Sequence, residues 1–232
     1  MSTSSNHLRS YCRLGSHRGY RLCDQCGSVE SATLKLKLCG ACLTTQYCSR
    51  TCQRLHWAYH KTICRHTVAL IQQASEDAPK QTIGGQDLVK DLRRFASAYS
   101  TLLGWAGFQG LQLTILPHKI SEEALLIVLQ YRPHVQAHCR FILSATYIVP
   151  QTFICDPLVN DEIRRRDERC RLNAGIGAMV VIIQCESTSE VMPFEVDAPQ
   201  DIDWAICSDW AAVLAESISM GRTDFQPVRV SH

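Results

Sequence analysis

Cysteine and histidine side chains are concentrated in one short stretch near the start of the 232-residue sequence. Between residues 23 and 64 the chain carries two Cys-x2-Cys pairs, then a Cys-x3-Cys pair and a His-x3-Cys pair. Zinc binds thiolate and imidazole tetrahedrally, with four ligands to each ion, so four pairs predict two zinc ions. With every position filled by protein, such sites are structural and hold no catalytic water. The eight candidate ligands are Cys23, Cys26, Cys39, Cys42, Cys48, Cys52, His60 and Cys64.

Disulfide bonds are the other common use of cysteines at such density. The first twenty residues contain no apolar stretch of the roughly 7 to 15 residues that a secretory signal requires. No apolar run approaches the roughly twenty residues of a membrane span. We therefore expect an intracellular protein without membrane association, nuclear or cytoplasmic, whose thiols stay reduced and available to metal.

The second half of this stretch is predicted to be helical. Ser49 is a suitable N-cap, and neither Pro nor Gly occurs from Cys48 through Arg65. On a continuous helix the Cys-x3-Cys pair lies about 12 Å from the His-x3-Cys pair, whereas zinc–ligand bonds are about 2.0 to 2.3 Å long. One ion cannot bind both pairs, so each needs a different Cys-x2-Cys pair. The spacing leaves open which pair joins which.

The string YCSRTCQRLHWAYHKTIC, preceded by two Cys-x2-Cys pairs, resembles a MYND-type zinc finger over residues 23–64. The sequence departs from the family in a slightly long, twelve-residue gap between the Cys-x2-Cys pairs, which suggests an extended first hairpin. His56 stands where the family often has an acidic or other polar residue, and it is not counted as a ligand. The resemblance implies an interleaved, cross-brace pairing. One ion would bind Cys23, Cys26, Cys48 and Cys52, and the other Cys39, Cys42, His60 and Cys64.

The resemblance also implies a role in protein interaction. MYND-type fingers take short proline-containing peptides along a groove, and Gln53 and Trp57 match the groove positions of the family. Four residues apart, these two share a helix face that we expect to be distinct from the ligand face. An exposed Trp on so small a module also favours a partner contact. We therefore expect a non-catalytic adaptor or scaffold whose second half binds a partner or dimerises.

Charge supports an alternative function. Residues 1–65 hold ten Lys or Arg against two acidic residues, a net +8, whereas residues 66–232 have a net charge of −6. A basic N-terminal region is typical of a nucleic-acid-associated transcriptional regulator. Because these basic residues are scattered and not arrayed along a recognition helix, a solvated basic surface is the favoured interpretation. Affinity that falls steeply with salt would distinguish nucleic acid from peptide binding.

The remaining sequence predicts a second, larger domain. We expect a flexible basic tail at 1–22, the finger at 23–64, a helix end and linker at 65–85, an α+β domain at 86–225 and a tail at 226–232. Periodicity predicts helices over 87–103 and 204–220 and strands over 124–131, 141–149 and 178–185. The last strand is continuously apolar and should be central. The predicted fold is a small two-zinc cross-brace finger followed by an α+β domain, in which helices flank a small sheet.

An enzyme in this second domain is the third and least favoured interpretation. MYND fingers also occur in SET-domain lysine methyltransferases, but the Asn-His of their cofactor motif appears here only as Asn6-His7. Cys155 and Asp156 could form a nucleophile beside a carboxylate, yet no paired histidine context surrounds them. The charged run at 163–171 alternates in sign at helical spacing, which predicts a solvated helix face with internal ion pairs.

Overall fold

The computed structural model describes residues 22–31, 33–76, 85–133 and 135–230. The basic tail expected at 1–22 lies outside the described residues except for Leu22, as do residues 77–84 of the expected linker. In the described part of the chain, a small finger is followed by a four-stranded sheet flanked by helices, which confirms the predicted fold class. None of the described helices is both long enough and apolar enough to span a bilayer.

The finger consists of a short hairpin and one long helix. Strands β1 (Lys37–Leu38) and β2 (Gln46–Tyr47) pair antiparallel, and helix α1 covers Arg50–Glu76. The amide of Cys52 donates a hydrogen bond to Ser49 Oγ at 3.1 Å, so Ser49 caps the helix as predicted. At 27 residues, α1 continues into the first part of the segment expected as linker.

The twelve-residue gap does not form the extended hairpin that its length suggested. Among the described residues it contributes Val29, which forms a bridge with Leu22, and strand β1, which is only two residues long. Ser31 explains the interruption, because its Oγ accepts a hydrogen bond from the amide of Leu34 at 3.0 Å and its own amide donates to the Leu34 carbonyl at 2.9 Å. Such local bonding favours a turn over a strand ladder.

The first helix of the second domain is divided in two. Helix α2 covers Gly85–Ala98 and helix α3 covers Ser100–Gly110, where one helix over 87–103 was predicted. The ψ of Tyr99 is 13°, well away from the helical value of about −42°. The amide of Tyr99 still donates to Phe95 and its carbonyl still accepts from Leu103, each at 2.9 Å. The two helices therefore meet at a kink and not at a loop.

The sheet contains the three predicted strands and one that was missed. Its strands are β3 (Glu123–Tyr131), β4 (Phe141–Pro150), β5 (Gly177–Cys185) and β6 (Thr188–Val196), in the order β4-β3-β5-β6. Strand β5 is interior, parallel to β3 and antiparallel to β6, so its predicted central position is confirmed. Strand β6 escaped prediction because Glu190, Pro193 and Glu195 interrupt its apolar pattern; a proline is tolerated there because β6 is an edge strand.

Helices cover both faces of the sheet. Helices α2 and α3 pack on the face that carries the main core, and α4 (Pro157–Leu172) packs on the other face. Asp156 caps α4 by accepting hydrogen bonds from the amides of Leu158 at 2.9 Å and Val159 at 3.4 Å. The cap fixes the direction of α4, and hence which of its side chains reach the finger.

The final helix, α5 (Trp210–Ser219), is shorter than the predicted 204–220. Trp204 instead forms a β-bridge with Arg229, and its ring packs edge-on against Phe108 with 5.2 Å between centroids. Burial of this indole in the core thus overrides helical periodicity. The C-terminal end agrees with the prediction, because Gly221 has a φ of +67° and the amide of Arg222 donates to the Ser217 carbonyl at 3.0 Å.

Close packing of α3 on β5 predicts that Gly107→Ala destabilises the protein. A Cβ at Gly107 would lie 2.8 Å from Val181 Cγ2 and 2.9 Å from Met179 Sδ. Overpacking of this kind costs about 1 to 3 kcal/mol, which exceeds the roughly 1 kcal/mol that alanine gains over glycine in a helix. Urea unfolding should therefore show a lower free energy of unfolding. Gly40→Ala, whose Cβ meets no atom within 4 Å, is the control; equal stability of the two variants would contradict the prediction.

Candidate metal centre

The first cluster joins a turn to the start of α1. Cys23 and Cys26 lie on the turn that ends at Gly27, while Cys48 and Cys52 are one helical turn apart. The Sγ atoms of Cys26 and Cys48 are 3.6 Å apart, and those of Cys48 and Cys52 are 3.4 Å apart. Four zinc–sulfur bonds of about 2.3 Å in a tetrahedron place sulfurs about 3.8 Å apart. The cluster therefore has nearly the size that zinc requires.

The second cluster joins the hairpin to the middle of α1. Cys39 Sγ lies 3.8 Å from Cys64 Sγ, and Cys42 Sγ lies 3.6 Å from His60 Nε2. The hydroxyl of Thr45 lies 3.2 Å from His60 Nδ1, which orients the ring so that Nε2 faces the three sulfurs. All four residues are buried.

Each cluster brings four potential ligand atoms within 4.8 Å of one another, so the two could hold two zinc ions. The pairing is interleaved: the first and third pairs along the chain form one cluster, and the second and fourth form the other. Four protein donors per cluster make a closed tetrahedral site, whose chemistry is structural. The two clusters differ in solvent exposure, because Cys26 of the first is exposed whereas all four residues of the second are buried.

Two thiols of the second cluster, Cys42 and Cys64, have pKa values shifted in opposite directions. Burial opposes ionisation of Cys42, but hydrogen bonds from His60 Nε2 and from neighbouring backbone amides outweigh it and lower the pKa to about 6. Burial and the neighbouring sulfurs of Cys42 and Cys39 raise the pKa of Cys64 to about 12. The geometry thus forces sulfurs together against their mutual repulsion, and a divalent cation among them removes that repulsion.

His56 lies outside both clusters but supports the second one. Its ring stacks on the ring of His60 with 5.8 Å between centroids, and its Nδ1 lies 2.9 Å from the hydroxyl of Tyr47. Burial lowers the pKa of His56 to about 4, so the ring is neutral at physiological pH. Its i, i+4 relation to His60 was visible in the sequence, whereas this packing role was not.

The two predicted groove residues lie on the exposed side of α1. Gln53 is half-buried and 44% of Trp57 is exposed. The expectation that they would be clear of the ligand face is wrong for Trp57, because its indole lies edge-on to His60 with 6.1 Å between ring centroids. The indole therefore contacts a residue of the second cluster, although 44% of Trp57 is exposed.

Arginines of α4 tie the first cluster to the second domain. Arg166 pairs with the carboxylate of Asp24, which lies between Cys23 and Cys26, and also with Glu162 at 2.9 Å. Arg169 donates to the Asp24 backbone carbonyl. The prediction that residues 163–171 form a solvated face is therefore wrong for these two side chains, which are largely buried. It failed because charge alternation does not reveal a partner more than a hundred residues away.

An arginine of α2 reaches the second cluster in the same manner. Arg93 donates to the backbone carbonyl of Cys42 and pairs with Glu190 of β6 at 3.2 Å, where both side chains are buried. Beside this contact a cleft of about 280 Å³ opens between α1, α4 and β6. At the rim of the cleft, His66 of α1 bonds Asp156 at 2.6 Å. Nothing in the sequence indicated that Arg93 would bond to the finger.

Removal of one ligand from each cluster should remove one metal ion each time. We expect two zinc ions in the purified chain and one in Cys48→Ala or His60→Ala, as measured by native mass spectrometry with elemental analysis. Cys155→Ala is the matched control, because Cys155 is a free, exposed cysteine outside both clusters, and it should keep both ions. Two ions retained in all three variants would contradict the ligand assignment.

Loss of the buried arginine contact should destabilise the whole chain. Arg166→Gln leaves the buried Asp24 carboxylate without its cation, and breaking a buried ion pair costs about 3 to 5 kcal/mol. Urea unfolding in the presence of zinc measures this loss. Arg164→Gln is the control: Arg164 is exposed and pairs with Asp161 at the surface, so its loss should cost about 1 kcal/mol or less. Similar effects of the two substitutions would refute the role given to Arg166.

Comparison with known proteins agrees with this geometry. The MYND finger family matches residues 23–64. The MYND-type zinc finger protein samB of Aspergillus clavatus is 36% identical over 63 residues, which are 26% of this chain and 11% of that protein. The samB proteins of Emericella nidulans and Aspergillus terreus are 38% identical over 60 residues and 36% identical over 63 residues, covering 25% and 26% of this chain and 10% of each relative.

The matched segment thus spans about a tenth of the length of these relatives. No solved structure matches the chain with statistical significance. Both comparisons identify the same finger, at the residues where the structure forms the two clusters. Residues 23–64 of this chain are therefore a MYND finger, with two Cys/His clusters that could hold two zinc ions.

Proposed function

We propose that this protein is a zinc-dependent adaptor whose finger binds short proline-containing segments of partner proteins and catalyses no reaction. In this proposal the eight cluster residues hold two structural zinc ions, and Gln53 and Trp57 form part of the peptide site. MYND domains generally mediate protein interactions, and the family is generally non-catalytic. The proposal extends that general role to a particular surface of this chain.

The observation that carries the proposal is the placement of Trp57. Its indole makes a T-shaped contact with the ring of His60, with 6.1 Å between centroids, and 44% of the residue is exposed. A rigid aromatic loses little conformational entropy on binding, and tryptophans are enriched among residues that dominate binding energy. Proline-rich segments dock on exposed aromatic side chains, since their backbone is already extended.

The residues that could have suggested an enzyme are used in structural contacts. Asp156 caps α4 through one carboxylate oxygen and bonds His66 through the other, so neither oxygen is directed at Cys155. The Cys155 thiol lies 3.7 Å from the Phe153 carbonyl. These contacts support a role for this region in holding the finger against the second domain.

Trp57→Ala should weaken peptide binding without loss of metal. Proline-containing peptides are selected by phage display on the zinc-loaded full chain, and the affinity of the best one is measured by calorimetry. Truncation of a residue that dominates binding costs about 2 kcal/mol or more, which corresponds to a roughly thirty-fold weaker affinity. Gln53→Ala should give a smaller loss. Both variants should retain two zinc ions.

Tyr59→Ala is the matched control for the indole. Tyr59 is an aromatic residue on the same helix, 75% exposed and two positions further along, so it projects from nearly the opposite side of α1. Its truncation should change the affinity less than three-fold. Release of zinc from Trp57→Ala would make the indole a structural residue and overturn the proposed site. Binding that requires nucleic acid and falls steeply with salt would favour the regulator hypothesis instead.

A further inference from the structure

Helix α1 carries two pairs of basic residues on the side that holds Trp57. The members of each pair are about one helical turn apart: Arg50 with Arg54, and Lys61 with Arg65. At about 100° per residue, all four project within roughly 80° of one another, and Trp57 lies between the two pairs. All four are exposed. We call these four residues the cationic stripe of α1.

Acidic side chains that could balance the cationic stripe are lacking nearby. The only acidic residue among the 27 of α1 is Glu76, its last. The finger itself has two, and both are engaged elsewhere: Asp24 pairs with Arg166, and Glu30 accepts a hydrogen bond from the Leu36 amide at 3.1 Å. Within the described ranges, no residue of the stripe forms an ion pair. Like charges one turn apart repel each other, so a bound anion would relieve this repulsion.

The cationic stripe fits a short acidic peptide better than a nucleic acid. From Arg50 to Arg65 it is about 22 Å long, the length of about seven residues of an extended, proline-containing segment. A nucleic acid is a continuous polyanion that would extend beyond the stripe on a molecule whose residues 66–232 have a net charge of −6. Tyr59 projects from nearly the opposite side of α1 to Trp57, so the stripe offers successive bases a single indole on which to stack.

The arrangement also favours carboxylates over a phosphate group. Phosphate sites in proteins use the amides of a helix N-terminus or converging arginines. The cationic stripe instead runs along the side of α1, and its two pairs are separated by about 10 Å along the helix axis, on either side of the indole. Separate single charges at this spacing match aspartate or glutamate residues that precede and follow the segment in contact with Trp57.

We propose that the finger selects partner segments in which Asp or Glu residues flank the proline-containing stretch, with their carboxylates paired to the cationic stripe. This inference rests on the proposed function, because it assumes that Trp57 contacts the central stretch. Along the helix axis, Arg54 and Lys61 lie about 4.5 and 6 Å from Trp57. Arg50 and Arg65 lie about 10.5 and 12 Å from it. At about 3.1 Å per peptide residue, the acidic residues lie within about four positions of the central stretch, on both sides of it.

The two parts of the surface have different effects on binding. The indole of Trp57 would accept any proline-containing segment that presents an apolar side chain. The cationic stripe discriminates among such segments, because it attracts acidic flanks and repels basic ones. Each exposed ion pair adds little affinity by itself, yet opposite charges on the two partners also raise the rate of association.

Selection from a random twelve-residue phage library on the zinc-loaded full chain tests the proposal without a ligand chosen in advance. We expect Asp and Glu to be enriched within four positions of a proline, and Lys and Arg to be depleted. The best selected peptide is then synthesised twice, once as selected and once with every Asp and Glu changed to Asn or Gln. Calorimetry at physiological salt should show about ten-fold weaker binding of the neutral peptide.

Two double variants with the same change in net charge separate the position of the charges from their number. Arg54→Gln with Lys61→Gln should weaken binding of the acidic peptide about ten-fold and change the affinity for the neutral peptide less than two-fold. Lys35→Gln with Lys37→Gln is the control, because both lysines are exposed on the finger but lie outside α1. The control should leave both affinities within two-fold of the wild type. Both variants should keep two zinc ions and the circular dichroism spectrum of the wild type.

The possible outcomes separate this inference from the proposed function. Trp57→Ala should weaken binding of both peptides, because both place their central stretch on the indole. Equal affinity for the acidic and neutral peptides, or a selected pool without acidic enrichment, would overturn the inference and leave the proposed function standing. Equal losses in the two double variants would also overturn it, since the attraction would then be general. Selection of no peptide at all would overturn both. Displacement of the acidic peptide by a twelve-nucleotide single-stranded DNA at physiological salt would overturn the inference in favour of nucleic-acid binding.

Discussion

The placement of the finger depends on hydrogen bonds that arginines of the second domain donate to the backbone of its ligand-bearing turns. Arg93 donates to the carbonyl of Cys42 in the second cluster, and Arg169 donates to the carbonyl of Asp24 in the first. Both carbonyls lie on turns that carry candidate zinc ligands, so the shape that tetrahedral coordination favours would also orient these acceptors. Because zinc contributes about 10 to 16 kcal/mol to the folding of small zinc modules, two bound ions would also hold these acceptors in place.

Arg93 and Arg166 also form ion pairs with carboxylates. Arg166 lies between Asp24 of the finger and Glu162 of its own helix, and Arg93 bridges the finger to Glu190. Although burial raises the pKa of Glu162, Arg165 and Arg166 outweigh this effect and lower it to about 2. Ion pairs this deeply placed add little net stability, yet removal of one member leaves an uncompensated charge. The contact therefore specifies how the finger sits more than how strongly it is held.

The sequence predicted local features well because local spacing determines them. Ligands one helical turn apart, the Ser49 cap and the apolar run of β5 each depend on residues within a few positions. The interleaved pairing needed the family resemblance, since distance along the helix alone left two choices. The sequence analysis missed strand β6. It also misassigned Trp204 and the arginines of α4 that contact the finger, because distant partners determine where these residues lie. In each case a tertiary contact overrode the local pattern.

Burial of the finger on one side of the second domain also explains the distribution of charge. The acidic residues of β6 face the arginines that anchor the finger, so that edge of the sheet is covered within the same chain. Strand β4, at the other edge, carries no charged residue, and helix α5 packs against it. Edge strand β6 therefore carries the acidic residues that pair with the finger-anchoring arginines, whereas edge strand β4 carries no charged residue. The half-exposed indole of Trp57 on α1 and the edge strand β4 lie on separate parts of the molecule.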